Sequence, residues 1–288
     1  MMRRSLLIVA LVALLAAIAA AGCGSADPVV KKVDHVVISS YDPPALFTVF
    51  TETLGLPVAW PMTAYPGYET GGFQAGNVNV EVLHYGSPGT ASGGGGETGF
   101  YGIVFEPYPL DEVTPELEAR GAKPSKPMVQ TGEVAGKPVP LWTNVMLDAL
   151  CSRQYIVYLC EYTPAMKARL SGRKTSGPHG GLGLESVAEM RITSKDPGPL
   201  KEEWQKIFAP SAFSTEGLMA FGDGPGIRID QGGDESIQVM LLEVSSLEKA
   251  RAFLEASGLL GEASGSELRL DPSKVQGLDI RVVEKKTT

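Results

Sequence analysis

The feature that most constrains the fold of this sequence is an order of elements, one strand, one helix and three strands, that occurs more than once along the chain. Residues 33–40 are rich in β-branched side chains, which favour a strand. Apolar residues recur at helical spacing between Leu46 and Leu54, and Gly55 predicts the end of that helix. Three short strands are predicted next, at residues 58–60, 71–75 and 78–85.

The same order of elements returns along the rest of the chain. A strand over 100–106 and a helix over 110–119 begin the second copy. The third copy aligns with the first at an offset of 154 residues, pairing Asp42 with Asp196. The fourth aligns with the second at an offset of 137, pairing Gly121 with Gly258. The sequence therefore predicts an α+β fold of four βαβββ modules, paired into two domains.

The first residues have the pattern of an export signal. Arg3 and Arg4 form a basic start, an uncharged apolar run covers 5–21, and Ala20-Ala21-Gly22 precede Cys23. This arrangement resembles the lipobox of bacterial lipoproteins, which implies a lipid on Cys23. The expected location is outside the cytoplasm, lipid-anchored at the cell membrane. A plain signal peptide and an uncleaved N-terminal anchor are the alternatives.

The predicted division of the chain follows from these patterns. The glycine run at 93–96 opens onto a strand instead of a helix, so it predicts a connector and not a phosphate-binding loop. The predicted parts are a lipoprotein signal peptide (1–22), a tether (23–32), a first domain (33–164), a basic, turn-rich linker (165–181) and a more divergent second domain (182–284).

The composition excludes several functional classes. The formal net charge of -8 gives no general attraction to phosphate backbones, so nucleic acid is not an expected partner. Three cysteines and three histidines leave little room for a multi-cysteine zinc site or a disulfide framework. Cys151 and Cys160 are predicted to be two separate thiols, because an extended segment would hold them far apart.

Three segments of the first module resemble a known family. They are Val33-Asp34-His35-Val36-Val37-Ile38, the helix end at 54–58, and Gly76-Asn77-Val78-Asn79-Val80-Glu81-Val82-Leu83. Together they are similar to the vicinal oxygen chelate superfamily of glyoxalases, bleomycin-resistance proteins and extradiol dioxygenases. The resemblance implies that paired modules form curled, mostly antiparallel sheets around a cup. It also implies that enzyme members hold a divalent metal there.

Carried over to this sequence, the resemblance implies a metal site at His35, Glu81 and Glu161. His35 lies on the first strand of its module and Glu81 on the last, where family members place ligands. In the second module the first strand offers only Tyr101 and Gly102, and a one-residue shift in register decides whether Glu161 faces the cup or the rim. Zn, Ni, Mn and Fe are the metals considered.

Aromatic side chains are the candidates for contact with an organic ligand. Trp60, Phe73, Tyr101 and Trp142 are expected to line the first cup, and packing in the core is the alternative for each.

The second domain departs further from the family pattern. Glu189 takes the place of His35, Asp230 is aligned with Glu81, and Arg281 stands where a carboxylate is expected. A fixed cation repels a metal, so this half is interpreted as metal-free. It would bind an anion or complete the fold.

Three functions remain open. The favoured one is a protein that binds a small organic ligand in the first cup, with or without a divalent metal. The alternative is an active metal-dependent lyase, isomerase, epimerase or dioxygenase using His35 and Glu81. A purely structural lipoprotein is a third interpretation. The sequence assigns no catalytic residue, ligand identity or oligomeric state.

Overall fold

A computed structural model describes residues 26–86, 97–134, 136–171 and 179–286 of the 288-residue chain. The predicted signal segment, Cys23 and the glycine run at 93–96 lie outside the described residues. None of the helices in the described ranges has both the length and the apolar character of a transmembrane span.

The first module has the predicted order of elements. Its helix begins after Asp42, whose Oδ1 accepts a hydrogen bond from the Ala45 backbone N–H at 3.2 Å. The helix continues as a π-helical turn over Val49–Thr53 and ends at Gly55, which adopts a φ of 69°. The elements are β1 (Val30–Ser39), α1 (Pro43–Thr48), β2 (Val58–Tyr65), β3 (Tyr68–Ala75) and β4 (Val78–Tyr85).

The second module repeats this order and is followed by a helix. Strand β6 was not predicted, because its apolar residues Met128 and Val129 are exposed neighbours and do not alternate with polar residues. Helix α3 begins at the last residue of the predicted first domain and covers the first part of the segment predicted as a turn-rich linker, 165–181. The elements are β5 (Gly99–Pro107), α2 (Leu110–Ala119), β6 (Met128–Val134), β7 (Lys137–Met146), β8 (Ile156–Tyr162) and α3 (Pro164–Ser171).

The third module is shorter than predicted, and the fourth is complete. After its helix the third module forms two strands in the described chain, because residues 208–217 are used for turns. The third module comprises β9 (Leu184–Ser194), α4 (Pro197–Ile207), β10 (Leu218–Met219) and β11 (Gly226–Gln231). The fourth comprises β12 (Ser236–Val244), α5 (Leu247–Ala256), β13 (Leu260–Ala263), β14 (Leu268–Leu270) and β15 (Asp279–Glu284).

The pairing of strands confirms the α+β fold and its modular plan. The first strand of every module runs parallel to the last strand of that module. Modules pair through their first strands, β1 antiparallel to β5 and β9 antiparallel to β12. We call β1–β8 the first domain and β9–β15 the second. The two sheets also meet where Phe100 pairs with Ile237, so the described strands form one 15-stranded sheet.

The first domain has two different faces. The outer face packs against the helices: Leu46 of α1, Phe50 of the π-helical turn and Leu54 just after it lie in the main core with alternating strand residues. The opposite, inner face carries a smaller cluster of Val37, Leu83, Val104 and Cys160. Cys151 and Cys160 are both free thiols. Because strand side chains alternate, each residue of the first domain can be assigned to one of these faces.

The two domains are joined by hydrogen bonds from the half-buried side chain of Asn77. The Asn77 amide donates to the carbonyls of Val187 (3.1 Å) and Asp223 (2.9 Å), and its oxygen accepts from the Val187 N–H (2.9 Å). Gly76, at a φ of 68°, lies so close to the Glu185 carbonyl that a Cβ would overlap it. The second domain therefore contacts the first at the turn before β4.

Arg120 forms a second joint between the domains. Its guanidinium donates to the carbonyls of Ile207 (3.0 Å) and Ala209 (2.5 Å) in the second domain, and to that of Asp27 (2.7 Å) before β1. The side chain is buried, with 7% of its surface exposed.

We predict that Arg120→Ala lowers the free energy of unfolding by roughly 2–4 kcal/mol, because buried carbonyls lose their donors. The measurement is urea denaturation. The matched control is Arg153→Ala, which removes an exposed arginine and should change stability by less than about 0.5 kcal/mol. Equal stabilities of the two variants would contradict the role given to Arg120.

Candidate functional site

A β-bulge in β1 determines which side chains reach the inner face. Val33 pairs with Phe105 and His35 with Val104, so two steps along β1 match one step along β5. Asp34 is the extra residue. A bulge of this kind re-aims a side chain, and here Asp34 lies beside His35 instead of on the opposite face.

His35 is the centre of a buried polar cluster on the inner face. Its Nδ1 lies 2.7 Å from Asp34 Oδ2, and its Nε2 lies 3.3 Å from the Tyr158 hydroxyl and 3.6 Å from Glu81 Oε2. The Tyr162 hydroxyl donates to the same Asp34 oxygen at 2.8 Å. The imidazole is 6% exposed.

Glu81 reaches this cluster from β4. It pairs in register with Val37, two residues along β1 from His35, and its Oε1 accepts a hydrogen bond from the Thr70 hydroxyl at 2.6 Å. The structure thus brings together the two side chains that the sequence placed in one site. Their role as metal ligands stays a prediction.

For both His35 and Asp34, burial shifts the pKa in one direction, and the contact between the two side chains shifts it in the other. For His35, burial alone would lower the pKa, but the hydrogen bond and charge of Asp34, aided by Glu81, raise it above the ordinary 6.5. For Asp34, burial alone would raise the pKa, but the hydrogen bond and charge of His35 and the Tyr162 hydroxyl lower it below 3.8. Both shifts favour an imidazolium–carboxylate pair.

Glu161 does not belong to this cluster, which corrects the predicted ligand set. Its Oε1 accepts a hydrogen bond from the Leu110 backbone N–H at 3.2 Å, at the start of α2. Along β8 the residues Tyr158, Cys160 and Tyr162 contact the inner cluster, so the intervening Glu161 faces outward. Glu161 therefore caps a helix on the outer face.

The second module reaches the cluster with the phenol of Tyr158 on β8, whereas the first reaches it with the carboxylate of Glu81 on β4. Val104 pairs with His35 across the two modules and with Tyr158 within its own, so Tyr158 is the inward-facing residue at this level. At the neighbouring position, Gly102 lies against Val37, and a Cβ there would be 3.2 Å from that side chain. A larger residue in place of Gly102 would displace its neighbour.

The donor set does not fit a resident divalent metal. Among the described residues no three His, Cys, Asp or Glu side chains are arranged to hold one. His35 and Glu81 supply two donors, whereas catalytic zinc sites use three protein ligands. Burial and the neighbouring Glu81 charge raise the pKa of Tyr158 well above 10.

The aromatic residues proposed to contact a ligand occupy different places. Phe73 is fully buried on the outer face, stacked on Phe50 at 4.4 Å between ring centroids, so its assignment to the cup was wrong. Tyr101 and Trp142 pack against the inner cluster. Trp60 covers Gly72, which shares the inner face with Thr70.

A cleft of about 320 Å³ opens on the inner face beside Asp34. None of the four predicted aromatic residues lines it. Sequence reasoning missed its polar groups, because ordinary alternation along β1 turns Asp34 away from His35; the one available signal was an acid next to a predicted ligand. The lining residues are Lys32, Asp34, Ala59, Gln74, Gly76, Asn77, Val78, Asn79, Glu106, Tyr162, Lys167, Leu170 and Asp223.

The second domain carries arginines at the corresponding level of its inner face. Glu189 stands in the register position of His35, as predicted. It pairs with Leu241 of β12 in the way that His35 pairs with Val104 of β5. The counterpart of Glu81 is Arg228, which pairs with Arg191, and not Asp230 as the sequence alignment suggested. Arg281 pairs with Leu241 and so takes the position of Tyr158.

Comparison with known proteins identifies the family of the first domain. Residues 32–137 match the Glyoxalase/Bleomycin resistance protein/Dioxygenase superfamily, which confirms the resemblance inferred from the sequence. No curated protein matches the chain.

Solved structures of the same fold cover nearly the whole chain at low sequence identity. A hypothetical protein from Staphylococcus aureus has a TM-score of 0.60 at 14% identity, covering 88% of this chain and 99% of that one. A mutant 4-hydroxymandelate synthase from Streptomyces coelicolor has a TM-score of 0.61 at 10% identity, with coverages of 91% and 94%. Homoprotocatechuate 2,3-dioxygenase from Brevibacterium fuscum, as its substrate complex, has a TM-score of 0.56 at 9% identity, with coverages of 91% and 83%.

We predict that His35 stops contributing to the free energy of unfolding at alkaline pH. Because its pKa in the folded protein is raised, the contribution is complete below pH 6.5 and disappears as the pH rises through the folded-state pKa. The contribution of Asp34, whose folded pKa is lowered, is complete above 3.8 and disappears as pH falls through the folded value. NMR titration of the imidazole measures the first shift directly.

Asp34→Asn is the matched variant for this titration. It removes the charge and keeps the side-chain shape, so the His35 pKa should fall relative to the unsubstituted protein. A His35 pKa below 6.5 in the unsubstituted protein, or one unchanged by Asp34→Asn, would contradict the pairing.

Proposed function

We propose that this chain, which belongs to the glyoxalase/bleomycin resistance protein/dioxygenase superfamily through residues 32–137, binds a small polar organic ligand in the cleft beside Asp34 without a resident metal. The volume of about 320 Å³ lies at the lower end of the ~300–1,000 Å³ usual for ligand pockets.

The observation that carries this proposal is the free oxygen of Asp34. Oδ2 already interacts with His35 and Tyr162, whereas Oδ1 has no hydrogen-bond partner among the described residues. The carboxyl side chain is 14% exposed and lines the cleft. Oδ1 is therefore an acceptor that no protein group uses, and it is open to a donor from a bound molecule. A ligand amine or hydroxyl would supply that donor.

The charges around the cleft support a polar ligand over a strongly ionic one. Glu106 lies 3.4 Å from Lys31 Nζ and 3.3 Å from Lys167 Nζ, and Lys32 lies 3.6 Å from Asp223. These groups largely compensate one another. The side-chain amides of Gln74 and Asn79 add hydrogen-bonding groups to the wall. Such a lining discriminates by hydrogen-bond pattern more than by net charge.

His35 acts on the ligand through Asp34. The imidazole is buried and does not line the cleft, but it holds Asp34 in one orientation and keeps it ionised. The Tyr162 hydroxyl does the same from β8. The carboxylate is thereby preorganised, which reduces the ordering cost on binding.

We predict that a thermal-shift screen of amines, polyols and amino acids finds a ligand whose stabilisation depends on Asp34. A ligand at 100 times its Kd adds about 2.7 kcal/mol to the free energy of unfolding. Asp34→Asn should abolish this gain. The control Asp111→Asn, at an exposed site on α2, should leave it intact. Loss of the gain in both variants, or in neither, would contradict the assignment.

Metal analysis separates this proposal from the metal-dependent enzyme. After reconstitution with Zn, Ni, Mn or Fe, we expect the purified protein to retain less than one metal per chain. Stoichiometric metal that is lost in His35→Ala and Glu81→Ala but kept in His84→Ala would refute the metal-free proposal. That outcome would favour the alternative, a lyase, isomerase, epimerase or dioxygenase.

We also propose that the protein is exported and lipid-anchored at Cys23. Arg120 Nη2 holds the Asp27 carbonyl at 2.7 Å, and four residues span at most about 14 Å. A lipid on Cys23 would therefore keep the joint between the domains close to the membrane. In a bacterial host fed radiolabelled palmitate, we expect label in the protein, retained in Cys151→Ser and absent from Cys23→Ser. An unlabelled parent protein would contradict lipidation.

A further inference from the structure

Two arginines lie side by side on the inner face of the second domain. Arg191 of β9 and Arg228 of β11 are register partners on parallel strands, which places their Cα atoms about 5 Å apart. Like charges directly opposite each other destabilise a sheet unless something compensates them. The environment of this pair therefore has to supply negative charge.

One buried carboxylate supplies part of that charge. Glu189 Oε1 accepts a hydrogen bond from Arg191 Nε, and Glu189 Oε2 accepts one from Arg228 Nε at 3.0 Å. The Glu189 side chain is 5% exposed, whereas those of Arg191 and Arg228 are 24% and 26% exposed. Among the described residues, no other acidic side chain forms an ion pair with either arginine. Two positive charges thus share one negative charge.

Glu189 also orients the two guanidinium groups. Glu189 accepts a hydrogen bond from the Nε of each guanidinium, so the Nη atoms take no part in this contact. Both Nη atoms of Arg191 and Nη2 of Arg228 have no hydrogen-bond partner in the described chain, while Arg228 Nη1 donates to the Glu216 carbonyl at 2.5 Å. A planar guanidinium with free Nη donors matches the two oxygens of a carboxylate.

The fourth module contains an arginine pair that serves as an internal comparison. Arg269 and Arg281 are also register partners, and both bind Asp279, at 2.8 and 2.9 Å. This pair has two further acidic partners, Glu267 at 3.3 Å from Arg281 and Glu262 at 3.6 Å from Arg269. Its charge is therefore fully compensated within the protein, unlike that of Arg191 and Arg228.

We infer that Arg191 and Arg228 form a binding site for the carboxylate group of a small organic acid, held ready by Glu189. One uncompensated positive charge matches a singly charged carboxylate better than a phosphate group, which carries about -1.5 to -2 at pH 7. This site lies on the second domain and is independent of the cleft at Asp34.

Benzoate is the probe, and benzamide, its neutral planar analogue, is the ligand control. We expect benzoate to raise the melting temperature of the full-length protein in a concentration-dependent way, and benzamide to have no effect. Arg191→Gln should weaken benzoate binding at least roughly tenfold, because charge-assisted hydrogen bonds are lost. Arg191→Lys should recover part of the affinity, since it restores the charge but not the fork.

Arg269→Gln is the matched control variant, and Asp34→Asn is the control for the other site. Both should keep the benzoate response. The melting temperature of each variant without ligand shows whether it folds. Equal responses to benzoate and benzamide, an unchanged affinity in Arg191→Gln, or an equal loss in Arg269→Gln would overturn the inference.

Discussion

The structure depends on the antiparallel pairing of β1 with β5. Each of these strands is the first of its module and runs parallel to the last, so the pairing sets β4 and β8 on either side of them. Glu81 and Tyr158 consequently approach His35 from opposite directions. The bulge in the same pairing adds Asp34. One strand interface therefore determines the membership of the polar cluster.

Much of the fold could be predicted from the spacing of apolar residues and from the glycines that follow helices. Helix α2 was predicted over the residues that form it, because its apolar residues recur at helical spacing and a glycine follows. Strand β6 could not be predicted, since two of its apolar residues point to solvent and its stability comes from pairing with β7. The shortened third module likewise gave no local signal, because short strands and turns differ little in composition.

The candidate site was predictable only in part. The family motif brought His35 and Glu81 together, and the structure places them 3.6 Å apart. The same reasoning left Glu161 undecided, because a one-residue change in register exchanges the two faces of a strand. It did not predict that Asp34 joins the cluster, because a bulge breaks the alternation of strand side chains on which such reasoning rests. Long-range pairing, which no short segment encodes, decided both cases.

The hydrogen bond from Asn77 to Asp223 ties the shape of the cleft to the sequence of the second domain. Its amide fixes the Asp223 carbonyl at 2.9 Å, and Asp223 belongs to the second domain yet forms part of the wall of the first domain's cleft. The cleft wall is thus built from both domains, with Asp223 as the contribution of the second. A protein reduced to the first domain would lack that part of the wall, so drift in the loop that carries Asp223 would reshape the cleft even while every other lining residue stayed the same.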